Sequence, residues 1–257
     1  MDNKKLNNSM STTMVIRKRF FSEIEKAGFY HSFDQLSKFI VKQHAEIWLV
    51  GGQIRDYYLQ ENQFPNDFDL ATNCNVAELS KYMKGSFSSK QMKFFEQFHT
   101  ISFNTNDVNI DIAELRLEKF SKTSLLPKIT YIENIVDDLK RRDFTMNSMA
   151  VNLLNLTEDR VIDPHSGIKA IKEKSLSVIH RKSYLDDPTR IFRAARYASR
   201  LKLAISTNEE MLIKEGMKNI SLLPQYTIDK EMNLIRNDKE PQQAIELLNS
   251  WGYHLTR

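Results

Sequence analysis

Asp67-Phe68-Asp69 is the spacing in this chain with the most chemical content. On a strand, residues i and i+2 project from the same face, so the two carboxylates point together. Like charges that close need a cation between them or a proton on one of them. A pair of Mg²⁺ ions answers that need, because hard divalent ions take carboxylate oxygens together with substrate phosphates. Two such ions activate an attacking hydroxyl and stabilise a leaving pyrophosphate in an in-line displacement. The competing reading is a surface turn, which often supplies Asp-x-Asp. Gly51-Gly52 end 15 residues upstream, between an apolar run and a helix-like stretch. Small residues there let backbone N–H groups approach a phosphate. Arg55, one helical turn on, can donate a charge-assisted fork to the same group; its alternative is a local ion pair with Asp56. Asp111, in NIDIAEL, is the candidate third carboxylate if an antiparallel neighbour brings it beside Asp67 and Asp69. Otherwise it is an edge acid facing water.

These residues need elements to hold them. EIWLV (Glu46–Val50) reads as a buried strand running into the glycine turn, and QIRDYYL as the first turns of a helix. After a polar connection from Gln60 to Asn66, DFDLA alternates acidic and apolar positions as a half-buried strand does. Asn75 to Met83 reads as a helix with Asn75 as N-cap. His99 to Phe103 and Val108 to Ala113 read as strands, and Glu118 to Ile129 as a mobile loop. Helical patterning follows over Ile135 to Lys140, Thr145 to Leu153 and Tyr184 to Leu203, with two or three further helices to the end. Strands thus fall in the first 115 residues and helices in the last 75, which predicts an α+β head followed by an all-helical segment. The expected divisions are an N-terminal extension or helix over 1–30, a head over 31–183 and a helical region over 184–257.

Of the 257 residues, 41% are hydrophobic and 27% charged, a balance that excludes wholesale disorder. The net charge of +4 suits a polyanionic partner without requiring one. Cys74 is the single cysteine, so no internal disulfide or cysteine-rich zinc site can form. No apolar run reaches the roughly 18 residues that span a bilayer, which excludes a membrane-spanning helix. The N-terminus carries Arg17, Lys18 and Arg19 and lacks the apolar core of a secretory signal. It reads as a frayed tail of a cytoplasmic protein, with an organellar presequence as the alternative.

Strand-Gly-Gly-x-x-Arg-Asp followed by Asp-x-Asp resembles the head of the class II tRNA nucleotidyltransferases (CCA-adding, CC-adding and A-adding enzymes) and the related bacterial poly(A) polymerases. Four later segments carry the resemblance onward in family order, and the whole covers Glu46 to Leu203. IDIAELRLEKF resembles the strand after the metal pair, and DLKRRDFTMNSMAVN (Asp138–Asn152) the RRDFT-x-N segment. VIDPHSGIKAIKEKSLSVI resembles the D-P-x-x-G segment, and LDDPTRIFRAARYASRL the E-D-P-x-R-[IL]-x-R helix. The resemblance implies a polymerase-beta-like nucleotidyltransferase head with a small mixed sheet, then a helical neck. Two segments depart from it: Asp186 stands where the family has Glu, and Ala170-Ile171 replace an Asp-Leu pair.

In the last segment Asp187, Arg190, Arg193 and Arg196 recur every three residues, which places them on one helical face. A carboxylate accepting from an exocyclic amino group and a guanidinium donating to ring acceptors would read cytosine or adenine but not guanine or uracil. By resemblance Asp187 and Arg190 select the base, Arg193 and Arg196 face the triphosphate, and Arg142 contacts the incoming nucleotide. Without the resemblance the helix reads as a solvated basic face. Asp143 and Asn147 read as capping and packing residues.

The resemblance implies template-independent addition of C and/or A from CTP and ATP to the 3′ end of tRNA or another RNA, with Mg²⁺, two ions expected, as cofactor. Family members continue past the neck with body and tail domains that grip tRNA. Here those regions are expected to be absent, with RNA grip coming from a protein partner or a missing C-terminal region. The loop Glu118 to Ile129 resembles the family's switching loop and is of ordinary length, which favours CCA or terminal-A addition over CC alone. The other readings are a bacterial-type poly(A) polymerase and a catalytically silent RNA- or nucleotide-binding module.

Overall fold

The computed structural model describes residues 10–60, 66–87, 91–105, 108–121 and 124–254. Most of the polar connection from Gln60 to Asn66, residues 61–65, lies outside them, as do the first nine residues. Packing divides the chain into two compact units. The first is Met1–Leu117, Tyr131–Leu139 and Asn147–Pro164; the second is Glu118–Thr130, Lys140–Met146 and His165–Arg257. This division is not linear, as cuts after residues 30 and 183 would be.

The first unit begins with α1 (Thr12–Lys26), α2 (Tyr30–Lys42), β1 (Ile47–Val50), α3 (Gly52–Tyr58), β2 (Asp67–Thr72) and α4 (Val76–Met83). It continues with β3 (Met92–Phe95), β4 (Thr100–Asn104) and β5 (Asn109–Glu114). Next in the chain comes a two-stranded ribbon of β6 (Arg116–Ser121) and β7 (Ser124–Tyr131), most of which belongs to the second unit; α5 (Ile135–Leu139) and β8 (Ala150–Asn152) return to the first. Six strands form one mixed sheet in the order β3-β4-β5-β2-β1-β8. Only β2 and β5 run parallel in it.

Alternation along β2 sets the two faces of this sheet. Phe68 and Leu70 are buried on one face, while Asp67 and Asp69 are exposed on the other. The buried face is covered by α1 and α2, whose apolar residues recur at helical spacing: Ile16, Phe20 and Ile24, then Phe33, Leu36 and Ile40. Phe20 meets Phe68 edge-to-face at 5.2 Å between centroids, and Phe29 meets Phe103 at 5.2 Å. Asn75 caps α4, its Oδ1 accepting from the Glu78 amide at 3.0 Å. On the opposite face a second apolar cluster of Trp48, Val50, Ala71, Ala150, Ile135 and Leu139 covers the β1–β8 end. The carboxylates lie beyond its edge.

Several expectations need correction. The N-terminal stretch is not a frayed tail: from Thr12 it is the packed helix α1. Arg17 is buried and donates Nε to the Asn152 carbonyl at 2.7 Å and Nη2 to the Asn155 and Glu158 carbonyls at 2.8 Å. Ser11 and Thr13 donate to Asp159, and these hydrogen bonds hold its carboxyl below the usual range. Thr145 to Leu153 is not a helix but a short 3-10 turn (Thr145–Asn147) followed by β8. Ala150, Val151 and Asn152 are all buried, so this strand shows no alternation to distinguish it from a helix. Glu118 to Ile129 is not a loop but most of the β6–β7 ribbon. Its half-buried positions include Arg116, Glu118 and Phe120, and polar inward residues disguise the period of two.

The second unit contains α6 (Gly167–Lys172), β9 (Ser175–Leu176), α7 (Ser183–Asp186), α8 (Thr189–Leu201) and β10 (Ala204–Ile205). Three helices close it: α9 (Thr207–Gly216), α10 (Gln225–Arg236) and α11 (Pro241–Trp251). The single helix expected over Tyr184 to Leu203 is broken between Asp186 and Thr189, because Pro188 holds Asp187 in an extended conformation. Helix α8 is the core of this unit and buries Ile191, Phe192, Ala194, Ala195 and Tyr197. Gly167 leaves room for the Thr145 carbonyl oxygen, which a Cβ would meet at 2.4 Å. Tyr184 is fully buried and donates to Glu209 Oε1 at 2.7 Å, and the Val178 amide donates to the same oxygen at 3.1 Å. Burial pushes the Glu209 carboxyl up despite these donors.

Two measurements check these packing arguments. Arg17→Met strands three buried or half-buried carbonyls and is expected to destabilise the fold by about 2–3 kcal/mol in urea titration. Because the folded state holds the Glu209 proton more tightly than the unfolded state, this group's contribution is fully present below the ordinary Glu range. It is lost as pH rises through the raised folded value. Glu209→Gln keeps the accepting oxygen and is expected to flatten the fall in urea midpoint between pH 4.5 and 7.

Candidate active site

In the first unit the register of the sheet brings three of the predicted acids together. Asp69 lies directly opposite Asp111 in the β2–β5 pair, and Asp67 opposite Asn109. The expected antiparallel neighbour is therefore a parallel one. Adjacent strands lie about 4.8 Å apart and i, i+2 residues about 6.7 Å apart, so the three carboxylates form a compact patch on one exposed face. The patch is hydrogen-bonded from its own sheet. Asn109 Nδ2 donates to Asp67 Oδ1 at 2.7 Å, and Ser102, the β4 partner of Asp111, donates its hydroxyl to Asp111 Oδ1. Gln53 Nε2 donates to the Asp67 carbonyl at 2.8 Å and ties the start of α3 to the start of β2.

The glycine turn is adjacent to this patch. Val50 pairs with Asp69, so Gly51 is the next residue after the acid's register partner. Gly51 has φ 77° and ψ −128°, a conformation open to glycine and costly for other residues. The turn delivers the chain into α3. Gly52 lies against the Arg55 guanidinium, whose Nη2 a Cβ would meet at 3.4 Å. Arg55 is buried. It donates Nε to Asp56 Oδ1 at 2.7 Å and Nη1 to Asn147 Oδ1 at 2.7 Å. The local Asp56 pair is present, and it belongs to a buried network that the sequence spacing did not reveal.

The remaining predicted residues lie in the second unit. Arg190 is buried and clamped: Nη1 donates to Ser183 Oγ at 2.5 Å and Nη2 to the Arg141 carbonyl at 2.7 Å. Its Nε lies 3.5 Å from Asp187 Oδ2. Asp187 Oδ1 accepts from the Thr189 amide at 3.1 Å and hydroxyl at 2.6 Å, which caps α8. Asp187 is about one-third exposed, so the pair presents a carboxylate edge on a rigid support.

Arg193 does not share this partner set. It donates Nε and Nη2 to Asp143 Oδ2 at 2.9 and 2.6 Å. Burial opposes its charge, but the Asp143 carboxylate, with Tyr197 and Glu231 adding to it, outweighs burial and raises its pKa. Arg196 and Arg200 both reach Asp238 Oδ2, at 3.3 and 3.4 Å. The guanidiniums of Arg193, Arg196 and Arg200 surround the Tyr197 ring at 5.5, 4.9 and 5.1 Å from its centroid. A step of three residues falls short of a full turn by about 60°, so successive arginines fan toward different partners. Arg142 is half-buried just before Asp143. Sequence reasoning read Asp143 as a cap, and its Oδ1 does accept from the Phe144 amide at 2.7 Å. Its second role, anchoring Arg193, left no signal in spacing.

Among the described residues no group of three or more His, Cys, Asp or Glu side chains is arranged to hold a metal ion by itself. The acid patch still fits Mg²⁺, which keeps several waters and binds through one or two carboxylates plus substrate phosphates.

Residues 47–177 match the family described as the Poly A polymerase head domain. An A-adding tRNA nucleotidyltransferase of Aquifex aeolicus is 29% identical over 201 residues, covering 78% of this chain and 24% of that protein. A CCA-adding enzyme of Listeria monocytogenes is 28% identical over 206 residues, covering 79% and 50%. The solved structure of a CCA-adding enzyme in apo form II superposes with a TM-score of 0.74 at 28% identity, covering 89% of this chain and 55% of that one. Thermotoga maritima CCA-adding enzyme in complex with tRNA superposes with a TM-score of 0.69 at 26% identity, covering 89% and 54%. The chain spans about half or less of the length of the curated relatives it matches.

The turn makes a direct prediction. Gly51→Ala forces a Cβ into the positive-φ region and is expected to cost about 1–2 kcal/mol, read as a lowered midpoint in urea denaturation.

Proposed function

We propose that this chain, which belongs to the Poly A polymerase head domain family, adds C and/or A from CTP and ATP to the 3′ end of tRNA as a CCA-adding or A-adding enzyme. One observation carries the reading: Asp67, Asp69 and Asp111 share an exposed sheet face, and the glycine turn starts one residue after the register partner of Asp69. An acid patch beside the amide that starts α3 supports nucleotidyl transfer from a triphosphate, which needs a cation site next to a phosphate donor.

In the proposed reaction the RNA 3′-hydroxyl oxygen bonds to the α-phosphorus of CTP or ATP. The bridging P–O bond to the β-phosphate breaks, the hydroxyl proton departs and pyrophosphate leaves. Asp67 and Asp69, with Asp111 beside them, would hold Mg²⁺. When bound, Mg²⁺, two ions in the full reading, activates the hydroxyl and offsets charge on the leaving group. The Gly51 amide donates to the Met149 carbonyl at 3.2 Å, so of the glycine pair it is the Gly52 amide that would take a phosphate oxygen, with the buried Arg55 charge directly behind it. In the second unit Asp187 would accept from the exocyclic amino group of C or A. Arg190, fixed by Ser183 and the Arg141 carbonyl, would hold that carboxylate in register and donate to the base. Within the same unit Arg142, Arg193 and Arg196 would contribute positive charge to nucleotide binding.

The relatives named above support tRNA as the acceptor. The chain covers about half or less of those relatives, and RNA grip beyond the site is assigned to further residues or a protein partner. No described helix is long and apolar enough to cross a membrane, and the proposed compartment is the cytoplasm, where tRNA and nucleoside triphosphates meet.

Incubating the chain with Mg²⁺ and tRNA lacking its 3′ end, with CTP, ATP or both, tests the proposal. Addition of one to three nucleotides is expected, with a loss of at least about 10³-fold in Asp69→Ala. Long ATP-dependent tails on arbitrary RNA would instead identify a poly(A) polymerase. Nucleotide binding without extension, indifferent to Mg²⁺, would identify a silent binding module.

A further inference from the structure

We infer that Asn109 and Ser102 are positioning residues that aim the Asp67 and Asp111 carboxylates at a shared divalent cation; this rests on the site reading above. The β2–β5 register makes a two-by-two patch of Asp67, Asp69, Asn109 and Asp111 on one exposed face, with Ser102 flanking Asp111 from β4. Three corners are acids. The fourth is a carboxamide, which can donate where a carboxylate can only accept. Asn109 Nδ2 uses that capacity on Asp67 Oδ1 at 2.7 Å, and the Ser102 hydroxyl does the same for Asp111 Oδ1.

Each of these contacts ties one carboxylate oxygen sideways within the sheet. That fixes the side-chain rotamer and with it the direction of the second oxygen. Gln53 supports the same end from below by holding the Asp67 carbonyl at 2.8 Å. The bonds add little to stability, because Asn109 and Asp111 are exposed and water could serve either partner. Their physical effect is orientation. Carboxylates left to rotate would spend much of their time directed away from one another, and a cation would have to order them on binding.

The test is Mn²⁺ binding to the full chain without nucleotide, followed by the electron paramagnetic resonance signal of unbound Mn²⁺. Asn109→Ala and Ser102→Ala are each expected to weaken Mn²⁺ binding about ten-fold, the usual scale for a residue behind a ligand, with urea midpoints unchanged. Ser102→Thr retains the hydroxyl and is expected to restore binding. In the nucleotide-addition assay the half-saturating Mg²⁺ concentration should rise in the alanine variants while the KM for CTP stays fixed. Unchanged Mn²⁺ affinity in both alanine variants, with Asp69→Ala abolishing binding, overturns this inference alone. Mn²⁺ binding that survives Asp69→Ala overturns the site reading itself.

Discussion

The period of two along β2 is the constraint on which the first unit depends. One strand has to serve both a hydrophobic core and a charged surface, and it does so by alternation. Phe68 and Leu70 anchor the sheet to α1 and α2, and those contacts hold Asp67 and Asp69 outward. A one-residue slip against β5 would exchange the two sets, burying two carboxylates and exposing two large apolar side chains. Each buried, unpaired carboxylate would cost several kcal/mol, so register here is enforced by the core and not by the acids. The turn inherits this precision, because Val50 is itself paired with Asp69.

The second unit solves a different problem, the packing of a basic helix. Arg190, Arg193, Arg196 and Arg200 all stand on α8, which also supplies the core. Each guanidinium is met by a specific acceptor or ring: Ser183 and a carbonyl, Asp143, Asp238, and the face of Tyr197. Charge so arranged is held in place before any ligand arrives, which reduces the ordering cost of binding an anion.

Much of this was legible in the sequence. Alternation in DFDLA, the glycine pair after an apolar run and Asn75 before a helical stretch each gave a local signal strong enough to place an element. What was hidden was of two kinds. Strand β8 is buried on both faces and so has no period, and β6 carries polar residues inward, which inverts the expected pattern. The partners of charged residues were also hidden, because they are distant in sequence. Arg17 with the carbonyls near Asn152, Arg55 with Asn147 and Arg193 with Asp143 depend on tertiary placement that no local spacing encodes. The carboxamide at Asn109 carries no local signal of its own, and only the parallel register sets it opposite Asp67.

The polypeptide passes from one compact unit to the other five times, at residues 117, 130, 139, 146 and 164. Strand β8, which completes the sheet beside β1, lies about a hundred residues after it. A ribosome must therefore have released residue 152 before the first unit can close its sheet, by which time parts of the second unit have already emerged. The first unit cannot close before segments of the second have been made, and no single cut in the gene would yield either of them whole.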